Sequence, residues 1–442
     1  MNLLEAYAKR LNVSESVYKK EHGNESLSEN KKVTIARVLA NTASFLNEAF
    51  SKSVGTQRAD MGTFKKFALD LTTVALPNLI ANDLVIVKPM SSMTGYIQIL
   101  EFVAGTDKGG VKQGDVFNDP FALGKMTDER VRYTGSAVVE EVELGAEGAA
   151  TLAWVPLFTG FTPTVVGNES ASVQVVDAKT GAIKVTGASG KVKIKYLYDN
   201  VVIPQNDLPI LNARVRGIAL EAKARRIAIY YSQMAAFQAK TEMGMDLGEV
   251  LATQACGELS YEIDTEIVKL LDDGAGKAAI EFNKTLPAGV SKMEHYEGFA
   301  EILEQASQII YDRTQKHAAN YMICASNIKP ILSLMRGWKA ASTGKINGPY
   351  FAGTINGIKV FVSPALVPGR FVLGFNGDDL MTSAAVYAPY MAVVPTQLLG
   401  YADGGMSQGF STLYDLKLIN PALLVAGEVV EKPQVVTTKV GQ

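Results

Sequence analysis

The sequence predicts an α+β fold organised around one long helix. Asp246 can cap a helix start, and apolar residues recur at every fourth position from Leu247 to Leu271, with no proline before Gly274. Upstream of this helix, alternating apolar and polar residues indicate extended strands, and downstream the patterns of strands and helices alternate. This mixture is typical of a mixed sheet with helices packed against it.

The long helix is predicted over residues 246–273, with Asp246 and Glu249 forming a variant of a capping box at its start. At a rise of 1.5 Å per residue it is roughly 40 Å long, whereas helices of globular domains average about 11 to 12 residues. A spacing of four residues advances by about 40° per step around a 3.6-residue turn, so the apolar line winds around the helix. We therefore expect different partners to cover it along its length.

Composition excludes several classes of function. The 442 residues are 47% hydrophobic and 20% charged, which is an ordinary globular balance. The formal net charge of −2 gives no electrostatic argument for nucleic acid or an anionic membrane as the main partner. Cys256 and Cys324 are expected to be buried thiols. Because the sequence has neither a long apolar run nor a signal-peptide pattern at Met1, we expect a soluble protein made in the cytoplasm.

Residues 1–75 are predicted to form an N-terminal arm. Apolar residues from Ile35 to Phe50 recur at helical spacing and indicate an amphipathic helix with one apolar stripe. Packing of this stripe on its own domain and packing on a neighbouring subunit both remain open. Phe45, Leu46 and Phe50 are therefore candidate residues of a subunit interface.

Residues 76–144 are predicted to begin the body of the protein and then to project a long two-stranded loop. A strand at Tyr96–Val103 is followed by a glycine-rich stretch, and strand-like residues return over Arg130–Leu144. A structureless connection of this length is usually functional, and an isolated hairpin is marginal in water. We therefore expect the loop to lie on another surface, with Gly109 and Gly110 as interface candidates.

Residues 145–202 are predicted to be a small β insertion domain, since short alternating strands flank turn signals there. The next segment, 203–294, contains extended chain from Val215 to Tyr231, with a bulge expected at Arg225-Arg226, and then the long helix. Residues 295–400 are predicted to be a second unit that begins with a helix near Phe299. Residues 401–442 are expected to return to the first unit as strands.

Within the second unit, the sequence predicts a second helix over Ser326–Trp338 and a series of strands. The strands are expected at Tyr321–Cys324, Ile358–Val362, Phe371–Phe375, Ala384–Tyr387 and Met391–Val394.

Basic residues are interleaved with apolar ones just before the long helix, at Arg214, Arg216, Arg225 and Arg226. Arginine suits fixed pairing with carboxylates at protein contacts. We favour acidic residues of a partner subunit over nucleic acid as their ligands, and we take these four arginines as further interface candidates. Examples of such acidic residues are Asp246, Glu249 and Glu301.

The sequence offers little for catalysis, a metal or a cofactor. The three histidines, His22, His295 and His317, lack metal-ligand spacing, and no phosphate-binding glycine motif is present. A match to the nucleophile elbow of hydrolases centres on Ser407, but no histidine follows it to complete a catalytic triad. We therefore expect no enzyme activity and no cofactor.

Five separated blocks of sequence together carry a resemblance to a known family. The blocks are Pro77-Asn78-Leu79-Ile80 with Pro89-Met90 and Thr94-Gly95; Glu221-Ala222-Lys223-Ala224-Arg225 through Met243-Gly244-Met245-Asp246; Ala319-Asn320-Tyr321-Met322-Ile323-Cys324-Ala325-Ser326; Phe351-Ala352-Gly353; and Tyr387-Ala388-Pro389-Tyr390. In this order they resemble the major capsid protein of T-even-type myoviruses, and the similarity covers most of the chain from about Leu76 to Phe410.

The resemblance implies the Hong Kong-type fold of tailed-phage capsids, which has an N-terminal arm, an extended E-loop, a P-domain with a long spine helix, and an A-domain. It also implies a structural protein that assembles into hexamers, with pentamers left open, to form an icosahedral virion shell around double-stranded DNA. Implied partners are copies of itself, scaffold, portal, vertex or decoration proteins, and weakly held DNA, but no membrane. Family members often lose an N-terminal piece by cleavage after Glu, a pattern matched only weakly at Glu5, Glu29 and Glu48.

Three alternatives remain at this point. The chain is also compatible with the pentamer-forming vertex protein of the same virus type, and with an encapsulin-like compartment shell. The third alternative, from another functional class, is a hydrolase or a carbohydrate-binding module that uses the β insertion.

Overall fold

The computed structural model divides the chain into two units, each described by itself. Unit 1 comprises residues 1–97 and 218–442, and unit 2 comprises residues 98–217. The residues described are 3–21, 26–51, 68–74, 76–77, 79–106, 113–114, 137–145, 148–168, 171–199, 210–287, 289–314, 316–341, 348–377, 379–396 and 398–431.

Helices and strands alternate irregularly along the chain, as expected for an α+β protein. The helices are α1 Leu3–Ala6, α2 Ala8–Glu21, α3 Glu29–Ser51, α4 Ala81–Leu84, α5 Gln233–Met243, α6 Leu247–Ala275, α7 Lys292–Thr314 and α8 Lys329–Leu332, and residues 68–74 are also helical. The strands are β1 Ile86–Val87, β2 Thr94–Ala104, β3 Ala137–Glu143, β4 Ala149–Thr151, β5 Thr164–Val165, β6 Ser172–Asp177, β7 Ala182–Thr186, β8 Lys191–Leu197, β9 Leu211–Glu221, β10 Lys223–Ser232, β11 Ile280–Asn283, β12 Tyr321–Ala325, β13 Lys339–Ala340, β14 Tyr350–Ile355, β15 Ile358–Ser363, β16 Arg370–Gly374, β17 Ala385–Pro395, β18 Leu399–Gly400, β19 Gly405–Leu418 and β20 Leu424–Val430.

Helix α6 confirms the predicted long helix. The Asp246 side chain accepts hydrogen bonds from the backbone N–H groups of Gly248 and Glu249, which fixes the first turn. Different partners cover it along its length, as expected. Its N-terminal half, including Leu259, packs in a cluster with Val393 and Phe410 of β17 and β19, whereas its C-terminal half packs in the main core.

Two mixed sheets build unit 1. One has the strand order β1-β17-β19-β10, with β18 also paired to β19, and the other has the order β11-β20-β16-β12-β15-β14-β13. All five strands predicted between residues 295 and 400 are present, and the last two are the two halves of β17. Cys256 and Cys324 are buried free thiols, as expected, and burial raises the pKa of each to about 12.

The expected helix over Ser326–Trp338 is wrong in extent, because only α8 is α-helical there. Beyond it the chain forms tight turns in which the N–H of Leu334 bonds to the carbonyl of Ile331, and that of Met335 to Leu332. Such turns keep apolar residues at nearly helical spacing without a continuing α-helix. Gly337, at a φ of 87°, then reverses the chain in a conformation that favours glycine.

The described part of the arm packs on its own unit. Ile35, Val38 and Leu39 of α3 lie in the main core together with Leu84. At Asp83, polar contacts add to this packing, since Lys31 of α3 and Lys359 of β15 both place Nζ 3.7 Å from its Oδ1. The amphipathic helix therefore covers its own domain over this stretch.

Strand pairing in unit 2 differs from the expected two-stranded loop. The first strand, β2, pairs with β9, whereas β3, the described part of the strand expected over Arg130–Leu144, pairs with β8 from Ala137↔Leu197 to Glu143↔Lys191. Residues 130–136 lie outside the described residues. Burial explains the difference, because Val138 of β3 belongs to one buried hydrophobic cluster together with Ile194 and Tyr196 of β8. A period of two identifies a strand, but it does not identify the strand's partner.

The structure also differs from the prediction at two places just before α6. No bulge occurs at Arg225-Arg226, because β10 pairs with β19 in unbroken register from Lys223↔Tyr414 to Ser232↔Gly405. The chain instead breaks at Ala222, between β9 and β10. Helix α5, which follows β10 directly, was not expected from the sequence.

Candidate subunit interface

The structure separates the candidate residues of the arm. Leu46 is 2% exposed and packs with Ala68, Met391 and Val394 of the same chain. Phe45, one residue earlier, is 38% exposed. The side chain of Phe50 lies outside the described residues. Of this group, Phe45 therefore leaves apolar surface exposed, while Leu46 holds the arm on its own unit.

A pair of alanine substitutions separates these two roles. We expect Leu46→Ala to lower the free energy of unfolding of the unassembled chain by about 2–3 kcal/mol, because it leaves a cavity in a packed cluster. Phe45→Ala should change this free energy by less than about 0.5 kcal/mol, as is usual for surface positions. Urea unfolding followed by circular dichroism measures both values. Equal losses for the two variants would contradict the assignment.

Arg214 and Arg216 share one carboxylate of their own chain. Glu101 of β2 has a buried side chain, and its Oε2 accepts a hydrogen bond from Arg214 NH2 at 2.7 Å. Its Oε1 lies 2.8 Å from Arg216 Nε. Both arginine side chains are more than half exposed. Two cations around one anion leave a net positive charge at the surface, where a further carboxylate can bind.

Arg225 and Arg226 differ in environment because they lie on opposite faces of β10. Arg225 donates to Glu266 of α6 at 2.5 Å, and this hydrogen bond is the main cause that raises the pKa of its guanidinium group. Tyr414 donates to the other oxygen of the same carboxylate at 2.7 Å. Arg226 is exposed, and within the described part of the chain it forms no ion pair.

The acidic residues suggested as ligands of a neighbour's arginines lie elsewhere in this chain. Asp246 caps α6, and Glu249 and Glu301 are exposed on α6 and α7. Within the chain, Arg214 and Arg216 instead pair with Glu101, and Arg225 pairs with Glu266. Gly109 and Gly110 lie outside the described residues.

The ribbon formed by β2 and β9 has one exposed apolar face in unit 2. The backbone hydrogen bonds from Gly105 N–H to the Ile210 carbonyl, at 2.7 Å, and from Ala222 N–H to the Met93 carbonyl, at 2.8 Å, show that the two strands run antiparallel. In this register Val215 lies opposite Leu100, and both are exposed together with Phe102 and Leu211. Large apolar side chains exposed together on one face are typical of an interaction surface.

A second exposed apolar surface, which we call the apolar tip, comprises Tyr230, Met234, Phe237, Leu399 and Tyr401. Both Tyr230 of β10 and Leu399 of β18 lie opposite Ser407 of β19, so they share a face of the sheet. The rings of Tyr230 and Tyr401 have centroids 6.2 Å apart.

Helix α5 extends this tip. It begins directly after β10 and has no buried residue, with Met234 74% and Phe237 68% exposed. Large apolar side chains clustered at this level of exposure mark an interaction site.

Hydrogen bonds fix the polar side of the apolar tip. Tyr230 donates its hydroxyl proton to Asp403 at 2.9 Å, and the N–H of Gly405 donates to the same carboxylate. Both hydrogen bonds lower the pKa of Asp403, and the bond from Gly405 has the larger effect. The hydrogen bond to Asp403 raises the pKa of Tyr230. Asp403 therefore carries a negative charge beside the exposed rings at neutral pH. Sequence reasoning missed this surface because its residues come from two stretches, 230–237 and 399–403, that are far apart in the sequence.

Neither a metal site nor a membrane span is found in the described part of the chain. No group of three or more His, Cys, Asp or Glu side chains there could hold a metal ion. None of the described helices is long and apolar enough to cross a membrane.

Comparison with known proteins identifies a family match over most of the chain. The model of the family described as major capsid protein Gp23 matches residues 61–440. The major capsid protein of Enterobacteria phage T4 is 25% identical over 390 residues, covering 78% of this chain and 73% of the relative. The major capsid protein of Vibrio phage KVP40 is 24% identical over 384 residues, covering 78% and 74%.

Solved structures of capsids and related particles are also similar. The capsid of Myoviridae phage XM1 has a TM-score of 0.35 at 7% identity and covers 65% of this chain and 90% of that chain. A virus-like particle from Pyrococcus furiosus has a TM-score of 0.32 at 12% identity and covers 49% and 81%.

Proposed function

Because this chain belongs to the family of the major capsid protein Gp23, we propose that it forms hexamers that tile an icosahedral shell around double-stranded DNA. Membership of the family makes it a structural protein of the virion capsid that assembles with copies of itself into a shell. The family is structural and not enzymatic. Its fold is the α+β fold of tailed-phage capsids.

The exposed apolar surface of the chain is the observation that best supports repeated contacts between copies. The apolar tip of unit 1 and the exposed face of the β2–β9 ribbon in unit 2 each combine several large side chains from more than one segment. Several modest contacts of this kind add up in a closed assembly, because each subunit is held by many neighbours at once. We assign both surfaces to contacts between copies of the chain.

Three of the candidate arginines also support contacts between copies of the chain. Arg214 and Arg216 leave one positive charge uncompensated around Glu101, and Arg226 is exposed on β10. Such groups contribute to partner orientation more than to affinity when they lie at the rim of an interface. We include these three arginines and Phe45 among the contact residues. We also keep Phe50, Gly109 and Gly110 as contact residues, on the sequence alone.

The proposed function also predicts protein partners other than copies of the chain. The family also implies a portal, an assembly scaffold and vertex or decoration proteins as partners, and we propose contacts with each of these classes. DNA contact should be weak and independent of sequence, because the formal net charge of −2 gives no strong attraction for phosphate.

Assembly of the purified chain tests the proposal. The full-length chain, purified and then brought to high concentration, should sediment as large particles and show closed shells with six-fold capsomers by negative-stain microscopy. Rings of five subunits alone would instead assign it to the vertices. A monomer at every concentration, alone and with a co-expressed scaffold of the same virus, would contradict the proposal.

A further inference from the structure

Strand β10 lies at the open edge of its sheet. The strand order β1-β17-β19-β10 gives it a single partner, β19, among the described residues. The register with β19 is regular over all ten residues, without a bulge or a proline to block pairing on the other side. Natural proteins usually protect such an edge, so a long, regular and exposed one is suited to pairing with another chain.

The phase of the ladder identifies the backbone groups that face this open edge. The N–H of Gln233 donates to the carbonyl of Gly404 at 2.9 Å, which continues the β10–β19 register and marks odd-numbered residues as those bonded to β19. The N–H and C=O groups of the even-numbered residues therefore point to the edge. These residues are Ala224, Arg226, Ala228, Tyr230 and Ser232, and all five are exposed.

Side chains along β10 are arranged so that the strand complements itself. Arg225 and Arg226 lie near one end and Tyr230 and Tyr231 near the other, with Ala228 between them. If a second β10 runs antiparallel about a two-fold axis at Ala228, Arg226 of each copy lies opposite Tyr230 of the other. No arginine then faces an arginine.

The surroundings of Tyr230 fit an incoming arginine. Its ring lies beside that of Tyr401, tilted by 52° with the centroids 6.2 Å apart, and its hydroxyl group donates a hydrogen bond to Asp403. An exposed guanidinium group opposite it would meet both an aromatic face and a carboxylate, and each of these attracts a cation. Arg226 is exposed and forms no ion pair among the described residues, so it is available for this contact.

We propose that β10 pairs with β10 of a second copy, antiparallel about Ala228, to join two sheets across a two-fold contact of the shell. The proposal rests on self-assembly and names the partner of this edge. Residues 224–232 of each copy form the joint ladder, and the even-numbered residues of both strands exchange backbone hydrogen bonds. A two-fold contact of this kind uses the same surface patch on both copies.

Disulfide trapping in assembled particles tests the register. In a hydrogen-bonded antiparallel pair, opposed Cα atoms lie about 5.5 Å apart, within the range that a disulfide spans. Ala228→Cys should therefore convert most of the chain to covalent dimers when shells are oxidised, as seen on a non-reducing gel. The native cysteines are both buried and give little background.

A matched control is provided by the ends of the strand. Two copies of residue 224 would be about 27 Å apart, so Ala224→Cys alone should give no dimer. The same holds for Ser232→Cys alone, but shells assembled from a mixture of these two variants should give dimers. The mixture also serves if Ala228→Cys does not assemble. The pairing would be overturned if shells form but neither Ala228→Cys nor the mixture yields dimers. It would also be overturned if Ala224→Cys alone yields as many dimers as Ala228→Cys. In both cases the formation of shells would still stand.

Charge reversal tests the side-chain contact separately. Arg226→Glu, added to Ala228→Cys, should lower the rate of dimer formation by about tenfold, since each glutamate would then face Asp403. Arg226→Lys should retain most of the rate. Equal rates for all three backgrounds would remove Arg226 from the contact.

Discussion

Replacing Met234 and Phe237 together by aspartate is expected to give a chain that folds normally and forms no shells. Both side chains lie on α5, which has no buried residue, so the unassembled protein loses no packing. At a subunit contact, each aspartate would place an unpaired charge in an apolar environment, a change that costs several kcal/mol. Because every subunit repeats the contact, the defect is repeated throughout the particle. Thermal unfolding of the unassembled chain, together with sedimentation and negative-stain microscopy, measures both parts of the prediction.

Conservative substitutions at the same two positions provide the control. Met234→Leu with Phe237→Leu keeps an apolar surface of similar size, and this variant should still assemble. The aspartate variant should match the original chain in unfolding temperature. Normal shells from the aspartate variant would remove α5 from the contacts, whereas a large drop in its unfolding temperature would mean that α5 supports the fold.

Local signals in the sequence were sufficient to predict the long helix. Asp246 supplies a cap, and the regular apolar spacing has no interruption until the last turns, so neighbouring residues alone define α6. Helix α5 has capping residues, Ser232 at its start and Gly244 at its end, but it lacks the regular apolar spacing. Its residues from Gln233 to Met243 bury nothing, so no amphipathic stripe marks it.

Strand partners could not be predicted by the same reasoning. The pairing of β2 with β9 joins residues that are more than 100 positions apart, from Gly105 and Ile210 at one end. Without it, Glu101 could not be recognised as the carboxylate between Arg214 and Arg216. The sequence therefore identified arginines suited to carboxylates, but not which carboxylates of the same chain they already bind.

Buried Asp264 of α6 leads to the second prediction of large effect. It is a charged residue, 6% exposed, on the face of α6 that otherwise carries apolar side chains. Its carboxylate accepts the N–H of Ile80 at 3.1 Å and that of Ala81, where α4 begins. Burial raises its pKa well above the ordinary value, and these two hydrogen bonds only partly oppose the shift.

Asp264→Leu should lower the free energy of unfolding by about 2–6 kcal/mol, because two buried N–H groups lose their acceptor at about 1–3 kcal/mol each. Asp264→Asn keeps an acceptor oxygen and removes the charge that burial disfavours. We therefore expect it to be at least as stable as the original chain at neutral pH. Urea unfolding of the unassembled chains measures both.

The pH dependence of unfolding shows whether the buried carboxylate of Asp264 stabilises or destabilises the fold. Since the folded pKa of Asp264 is raised, the folded chain binds this proton more tightly than the unfolded chain, whose carboxyl group titrates near about 3.9. The stabilisation from this proton is fully present below the unfolded pKa and is lost as the pH rises through the folded pKa. The advantage of Asp264→Asn should therefore grow with rising pH across this window and then stay constant. An advantage that shrinks with rising pH would show that the carboxylate is stabilised in place, and that its two backbone hydrogen bonds outweigh burial.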